Sequence, residues 1–247
     1  MTQLAGKVVV ITGAGSGLGR AAAQVCADYG ARVVCGDISG AERLTADAIG
    51  AAALAVHCDV SREVEVEALL RQAVRKFGRL DAVLNVAGVS FFASLAELSM
   101  TDYDRILDID LRGVVHGTKH AVRMMSAAGG GGTILNWASV AALGAKPNTS
   151  VYAAAKAGVI AITKAAAVEH GRQGIRVNAI VPGLFLTEAA AQAPREMIEG
   201  LMAGVPAGRG GDPRECAELA AFLISDRAAF INGAVIVIDG GQSAQLA

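Results

Sequence analysis

Short runs of β-branched residues recur along the chain, each followed by a longer alanine-rich segment. The runs are KVVVITG from Lys7, ARVVCGD from Ala31, LAVHCDV from Leu54, LDAVLNVAG from Leu80, GTILNWAS from Gly132, IRVNAIVPG from Ile175 and AVIVIDGG from Ala234. They are apolar on both faces, as strands buried within a parallel sheet must be. Helical patterns fill the gaps, at roughly 18–29, 40–50, 62–77, 100–127, 151–172 and 213–225. This alternation predicts one doubly wound α/β domain over residues 1–247, with a seven-stranded parallel sheet and helices on both faces.

Two stretches interrupt the rhythm. AGGGG, Ala128 to Gly132, resembles a domain boundary, but the alternation continues through it, which fits a helix-to-strand connection. From Leu184 to Gly211 there is no strand, only prolines, glycines and a helical patch around Glu196 to Met202. Such an insertion is either a substrate lid at about 184–211 or a plain surface excursion.

Composition narrows the class. Hydrophobic residues make up 53% and aromatics 4%, so the core is built from Ala, Val, Ile and Leu. A net charge of -1, without a charged block, gives no footprint for nucleic acid and no basic helix for a membrane surface. No run approaches the ~18 uninterrupted apolar residues of a membrane span. The start of the chain lacks a cationic segment before a long apolar one, so a signal peptide is not expected. Cys26, Cys35, Cys58 and Cys216 are scattered and read as buried free thiols of a cytoplasmic protein.

The first strand runs into a glycine turn and then a helix, with Gly13, Gly17 and Gly19 spaced G-x-x-x-G-x-G. A turn without Cβ atoms lets backbone approach a pyrophosphate, and the helix N-terminus offers free N–H groups. Ser16 and Leu18 belong to the same cradle. Asp37 ends the second strand, 18 residues past Gly19, beside Ile38. Its carboxylate can accept from ribose hydroxyls and would repel a 2′-phosphate, which predicts NAD(H) over NADP(H). The other reading of Asp37 is a helix N-cap.

Tyr152 and Lys156 stand four apart in SVYAAAKAG and share a helix face. The pair is either a surface tyrosine beside a snorkelling lysine or a proton-transfer pair. A free phenol is a poor base, with a pKa near ~10. A neighbouring ammonium favours the phenolate. Ser139, at the end of the fifth run, can hydrogen-bond a substrate oxygen, or merely cap a turn. His116 and His120, also four apart, find no acid nearby in sequence to complete a metal site, so none is expected. Phe91 and Phe92 line an apolar pocket or pack ordinarily.

Together these residues resemble the short-chain dehydrogenase/reductase family, from Thr12 to the DGG at Asp239. TGAGSGLG matches its Thr-Gly-x-x-x-Gly-x-Gly turn. NVAG, Asn85 to Gly88, is similar to its Asn-Asn-Ala-Gly, with Val86 in place of the second Asn. Ser139, Tyr152 and Lys156 match its catalytic set, with the spacing of 13 between Ser and Tyr. PGLFLT, Pro182 to Thr187, matches the segment that holds the nicotinamide carboxamide, and Asp59-Val60 the pair that contacts adenine. The resemblance implies a Rossmann-type fold and a reversible NAD-dependent alcohol dehydrogenase/ketone reductase. It places Asn85, Ala87, Gly88, Pro182, Gly183, Phe185 and Thr187 at the cofactor, and gives Lys156 a second task on the nicotinamide ribose.

It also implies a homotetramer through helices about 100–127 and 151–172. Phe91, Phe92, Leu143 and Leu184 are candidates for a pocket that takes a cyclic or hydrophobic secondary alcohol with Ser139 and Tyr152. The chain departs from the family at IDLRG, where Asp110 replaces an Asn that holds a relay water through its carbonyl. Asp110 keeps that carbonyl and adds a carboxyl that bears on Lys156. Two alternatives compete: a 3-oxoacyl-thioester reductase, which usually takes NADPH, and a cofactor-binding scaffold without turnover.

Overall fold

The computed structural model describes residues 3–144, 146–188, 190–192 and 194–245. Seven strands form one sheet: β1 Val8–Thr12, β2 Arg32–Asp37, β3 Ala53–His57, β4 Ala82–Asn85, β5 Gly132–Trp137, β6 Ile175–Pro182 and β7 Val235–Ile238. All pair in parallel, in the order β3-β2-β1-β4-β5-β6-β7. The chain steps outward from β1 to β3, then returns to place β4 on the other side of β1. The strand order reverses there, opening a crevice at the carboxyl ends of β1 and β4 where ligands bind in sheets of this kind.

β1 explains the layering. All five of its residues are buried. Val9 and Ile11 face a core shared with helices α1 (Gly17–Asp28) and α8 (Pro213–Ile224), through Ala22, Val25, Cys26, Ala217 and Leu223. Val8 and Val10 face the opposite core, against α3 (Glu63–Phe77) and α5 (Gly113–Ala128), through Val66, Leu69, Leu70 and Ala121. The period of two along the strand divides the side chains between layers. Burying each valine or isoleucine contributes roughly 1.5–3 kcal/mol. The helix α2 (Glu42–Ile49) links β2 to β3.

The pattern at 100–127 resolves into more than one helix. α4 (Met100–Leu107) is capped by Ser99, whose hydroxyl accepts from Asp102 N–H at 3.0 Å. It passes without a break through a π-helical turn, Asp108–Arg112, into α5. A π-turn holds one more residue than an α-turn and so re-aims its side chains. Here it turns Asp110 inward, fully buried. The glycine segment is the expected connection: Gly129 ends α5 in the left-handed conformation at φ 69°.

Helix α6 (Ser150–His170) bears on the membrane expectation. With its following turn it is long and apolar enough, by length and composition, to cross a membrane. Counting uninterrupted apolar runs passes over it because lysines break the runs. In this fold it packs on β5 and β6. The segment Leu184–Gly211 carries α7 (Arg195–Ala203) and one parallel bridge between Phe185 and Gly211, which was not expected. Leu186 N–H donates to the Gly211 carbonyl and Gly211 N–H to the Leu184 carbonyl, both at 2.9 Å, so its two ends are clasped together. Residues 189 and 193 of this segment lie outside the described residues. The four cysteines are free and buried, and burial pushes their thiols up to about 12.

Candidate active site

The turn after β1 is shaped by close backbone approach. A Cβ on Gly13, at φ 70°, would lie 2.8 Å from the Cα of Ala87. One on Gly19 would collide with the Gly13 carbonyl. Thr12 anchors the facing loop, its Oγ1 accepting from Val86 N–H at 3.1 Å and Ala87 N–H at 3.2 Å. NVAG is thereby held against the glycine turn. Ser16 is the N-cap of α1 but makes no side-chain cap bond, and it stays exposed. Gly17 and Leu18 form the half-buried first turn.

Asp37 closes the side of this cradle. Its Oδ2 accepts from Gly15 N–H and its Oδ1 from Ser39 N–H, each at 2.9 Å. Each oxygen keeps a second lone pair, so the carboxylate can still accept from hydroxyl groups. It therefore orders the loops around it. Ile38 beside it is exposed. Asp59 holds Ser61 through its N–H at 2.9 Å and its hydroxyl at 2.7 Å. Val60 is buried, and a Cβ on Gly113 would lie 2.9 Å from its Cγ2.

The reacting side is built on α6. Tyr152 and Lys156 lie in its first two turns, and the Lys156 ammonium sits 5.7 Å from the centre of the Tyr152 ring. Lys156 is only 4% exposed. Its Nζ donates to the Trp137 carbonyl at 3.2 Å, tying the helix to the end of β5. Ser139 follows two residues later, half-buried, its Oγ accepting from Ala141 N–H at 3.2 Å. That bond caps a turn and leaves the hydroxyl hydrogen free for another acceptor, so the capping and catalytic readings of Ser139 are compatible.

Asp110 completes the group. Its Oδ1 accepts from Val89 N–H at 2.8 Å and lies 3.7 Å from the Lys156 Nζ. Its Oδ2 is buried without a partner among the described residues. Burial pushes this carboxyl above the usual carboxylate range, against the opposing pull of Lys156 and Val89 N–H. Gly88 makes the arrangement possible, since a Cβ there would stand 2.6 Å from Asp110 Oδ1 and 3.1 Å from Lys156 Nζ.

Several expected residues are placed differently. The Asn85 side chain is turned into the core, where its Nδ2 donates to Asn136 Oδ1 at 2.8 Å. It ties β4 to β5, and only its main chain is left for the crevice. Phe185 is buried in the α1–α8 core, because Gly211 leaves room for its ring: a Cβ on that glycine would lie 2.6 Å from the ring. His116 Nδ1 lies 3.0 Å from the Val60 carbonyl, and His120 Nε2 2.9 Å from Glu63 Oε1. An acid thus does reach His120, brought by the fold from α3. Glu63 also accepts from Lys119 at 2.6 Å, and these hydrogen bonds hold its carboxyl down at about 2.

On the PGLFLT segment, Pro182 is buried and Gly183 passes close to Asp239, where a Cβ would meet the Asp239 Cβ at 2.6 Å. A Cβ on Gly17 would lie 3.2 Å from the Thr187 methyl. Phe92 is 62% exposed and Leu143 also exposed, while Phe91 and Leu184 are half-buried. The motifs did not mark Glu188 and Arg20. Glu188 accepts from Gly17 N–H at 2.8 Å and pairs with Arg20 at 2.7 Å. Its place directly after Thr187 was the only signal in the sequence.

A glycine turn at a sheet's switch point, with a helix that carries Tyr152 and the buried Lys156, defines a class of dinucleotide-dependent oxidoreductases. A family profile described as enoyl-(acyl carrier protein) reductase matches residues 13–243. The chain is 44% identical to cis-4-hydroxycyclohexanecarboxylate dehydrogenase of Sinomonas cyclohexanicum, over 96% of this chain and 97% of that one. It is 41% identical to meso-2,3-butanediol dehydrogenase of Serratia marcescens, over 96% and 95%. The crystal structure of a levodione reductase superposes with a TM-score of 0.93 at 37% identity, covering 98% of this chain and 99% of that one. The chain belongs to the short-chain dehydrogenase/reductase family. It is an oxidoreductase acting on CH–OH groups of a small molecule, in a family that uses nicotinamide cofactors.

Proposed function

We propose that the protein is an NAD-dependent dehydrogenase that interconverts a secondary alcohol, on a cyclic or otherwise hydrophobic frame, and its ketone. The observation that carries this reading is the buried Lys156 ammonium beside the Tyr152 ring, bonded to the Trp137 carbonyl two residues before Ser139. The cradle suits a dinucleotide: its glycines leave the space of their missing side chains, and Asp37 retains acceptor capacity. Gly13, Ser16, Gly17, Leu18 and Gly19 would hold the diphosphate, Asp37 the adenosine ribose, and Asp59 and Val60 border the adenine. Ala87, Gly88, Pro182, Gly183, Thr187 and the main chain of Asn85 would border the nicotinamide side. When bound, the cofactor supplies the hydride acceptor or donor.

The chain's own residues handle the proton. Tyr152 takes the hydroxyl proton as the carbonyl forms, and returns it in the other direction. Ser139 donates its hydroxyl hydrogen to the substrate oxygen and stabilises its charge. Lys156 places its charge beside the phenol ring and binds ribose. Asp110 lies buried beside it, its Oδ1 3.7 Å from the Lys156 Nζ. Phe91, Phe92, Leu143 and Leu184 supply apolar surface, and Leu184–Gly211 closes over it. One relative is named for a hydroxycyclohexane carboxylate, which supports a cyclic frame, and another for 2,3-butanediol, a secondary alcohol.

Assembly as a homotetramer fits the apolar groove between α5 and α6, lined by Val115, Val122, Ile162 and Ala165. Light scattering tests it, with four times the 25.0 kDa chain mass expected. The four buried thiols suit a reducing, cytoplasmic setting. The function is tested by following NADH absorbance with NAD and a panel of cyclic and acyclic secondary alcohols. Turnover with NAD on the cyclic members is expected. Activity confined to thioesters with NADPH would replace this reading.

A further inference from the structure

Glu188 occupies an unusual place for an exposed carboxylate. Its Oε2 accepts from Gly17 N–H at 2.8 Å, the first amide of α1. Its Oε1 pairs with the Arg20 Nη1 at 2.7 Å. Arg20 is itself fixed, because its Nε donates to the Gly15 carbonyl at 3.1 Å and its Nη2 donates to the same oxygen. A carboxylate at a helix N-terminus, held by an amide and an arginine, uses the same donors and the same positive dipole end that a phosphate would use. The contact joins the segment after β6 to the glycine turn across 171 positions of sequence.

We propose that Glu188 is an internal stand-in for the cofactor's diphosphate: it latches the Leu184–Gly211 segment onto the phosphate loop of the ligand-free enzyme and is displaced when the dinucleotide binds. The inference rests on the dinucleotide reading above. Two further observations support it. Glu188's own N–H, Gly17 N–H and Arg20 hold its carboxyl below the usual range against the effect of desolvation, so it is an anion at neutral pH. Glu188 also lines an open cleft of ≈ 410 Å³ with Arg20, Gln24, Asp212 and Arg214, which leaves room for the displaced side chain. Glu188 is thus a positioning residue for cofactor entry and takes no part in the reaction.

The test compares wild type, Glu188→Gln and Glu188→Ala by NADH fluorescence titration, with adenosine as a probe that lacks phosphate. Removing the competing charge should tighten NADH about tenfold in both variants. Adenosine affinity should not change. In the ligand-free protein, hydrogen exchange at the Gly17 amide should speed up about tenfold in Glu188→Ala. NADH affinity that is unchanged or weaker overturns the proposal, as does unchanged exchange at Gly17. The diphosphate is common to both dinucleotides, so a wild type that binds NADPH instead defeats the Asp37 reading while the Glu188 effect is read on NADPH. If neither dinucleotide binds any of the three proteins, both readings fall.

Discussion

The carboxyl end of β1 and the first turns of α6 border the same crevice with polar groups in opposite states. At β1 and the neighbouring end of β2 the groups are paired: Thr12 Oγ1 accepts two backbone N–H groups, and each Asp37 oxygen accepts one. At α6 they are buried and under-paired. Lys156 donates to one carbonyl, and Asp110 keeps a carboxyl oxygen with no partner among the described residues. Paired groups hold the backbone of the loops around a ligand in place. Of the buried, under-paired ones, the Asp110 carboxyl is pushed above its usual range by burial, as happens at reacting centres. In the proposed function the first wall would hold the cofactor and the α6 wall would carry the reacting groups.

The largest expected effect comes from removing the charge on the reacting wall. Lys156→Met keeps an apolar stem but deletes the ammonium, and turnover should fall about 10³-fold. Steady-state rates by NADH absorbance check it. A loss below tenfold would mean that the buried ammonium is structural.

Asp37→Ala should change the cofactor wall alone. The kcat/KM ratio of NAD over NADP should fall by about ten- to a hundredfold, the scale of one or two charge-assisted hydrogen bonds. A ratio that stays put would leave Asp37 as a loop organiser for Gly15 and Ser39.

Two glycines sharpen the contrast. Gly13→Ala would push a methyl against Ala87 in a left-handed backbone, and Gly88→Ala would push one between Asp110 and Lys156. Overpacking of this kind costs about 1–3 kcal/mol. The first should appear chiefly in NADH affinity, and the second chiefly in kcat. Thermal melts beside the titrations separate both from general unfolding. Equal losses of affinity and rate in both variants would dissolve the distinction between the walls.

The smallest effect is one of pH. The Asp110 carboxyl is raised in the folded protein, so its stability contribution is full below the ordinary carboxylate pKa of 3.8. That contribution is lost as pH climbs from there through the raised value. Asp110→Asn should therefore gain stability over wild type across this window and hold the gain above it, read as a Tm difference that grows with pH. The acidic limb of its kcat/KM profile should also move. Superimposable profiles would remove Asp110 from the proton path.

The two walls were unequally legible in the sequence. The sheet could be read because parallel strands covered on both faces appear as unbroken apolar runs, and the glycine turn because close backbone approach excludes side chains. Tyr152 and Lys156 could be read because four residues bring a helix face round. Contacts between distant segments were not legible. Asn85 lies in a motif, yet its side chain answers to Asn136 on the next strand. Phe185 went to the core because of Gly211, and the inward turn of Asp110 depends on a π-turn that helical periodicity treats as ordinary helix. Glu188 met Arg20 across 168 positions, with no local pattern to announce it.

The central claim is that Tyr152 moves the proton while the opposite wall holds the cofactor. Tyr152→Phe tests it directly, with kcat on a cyclic secondary alcohol and the NADH dissociation constant measured on the same preparation. Turnover should fall by about 10³-fold with NADH affinity unchanged within about twofold. A variant that keeps wild-type turnover, or that loses cofactor binding in step with its activity, would contradict the account.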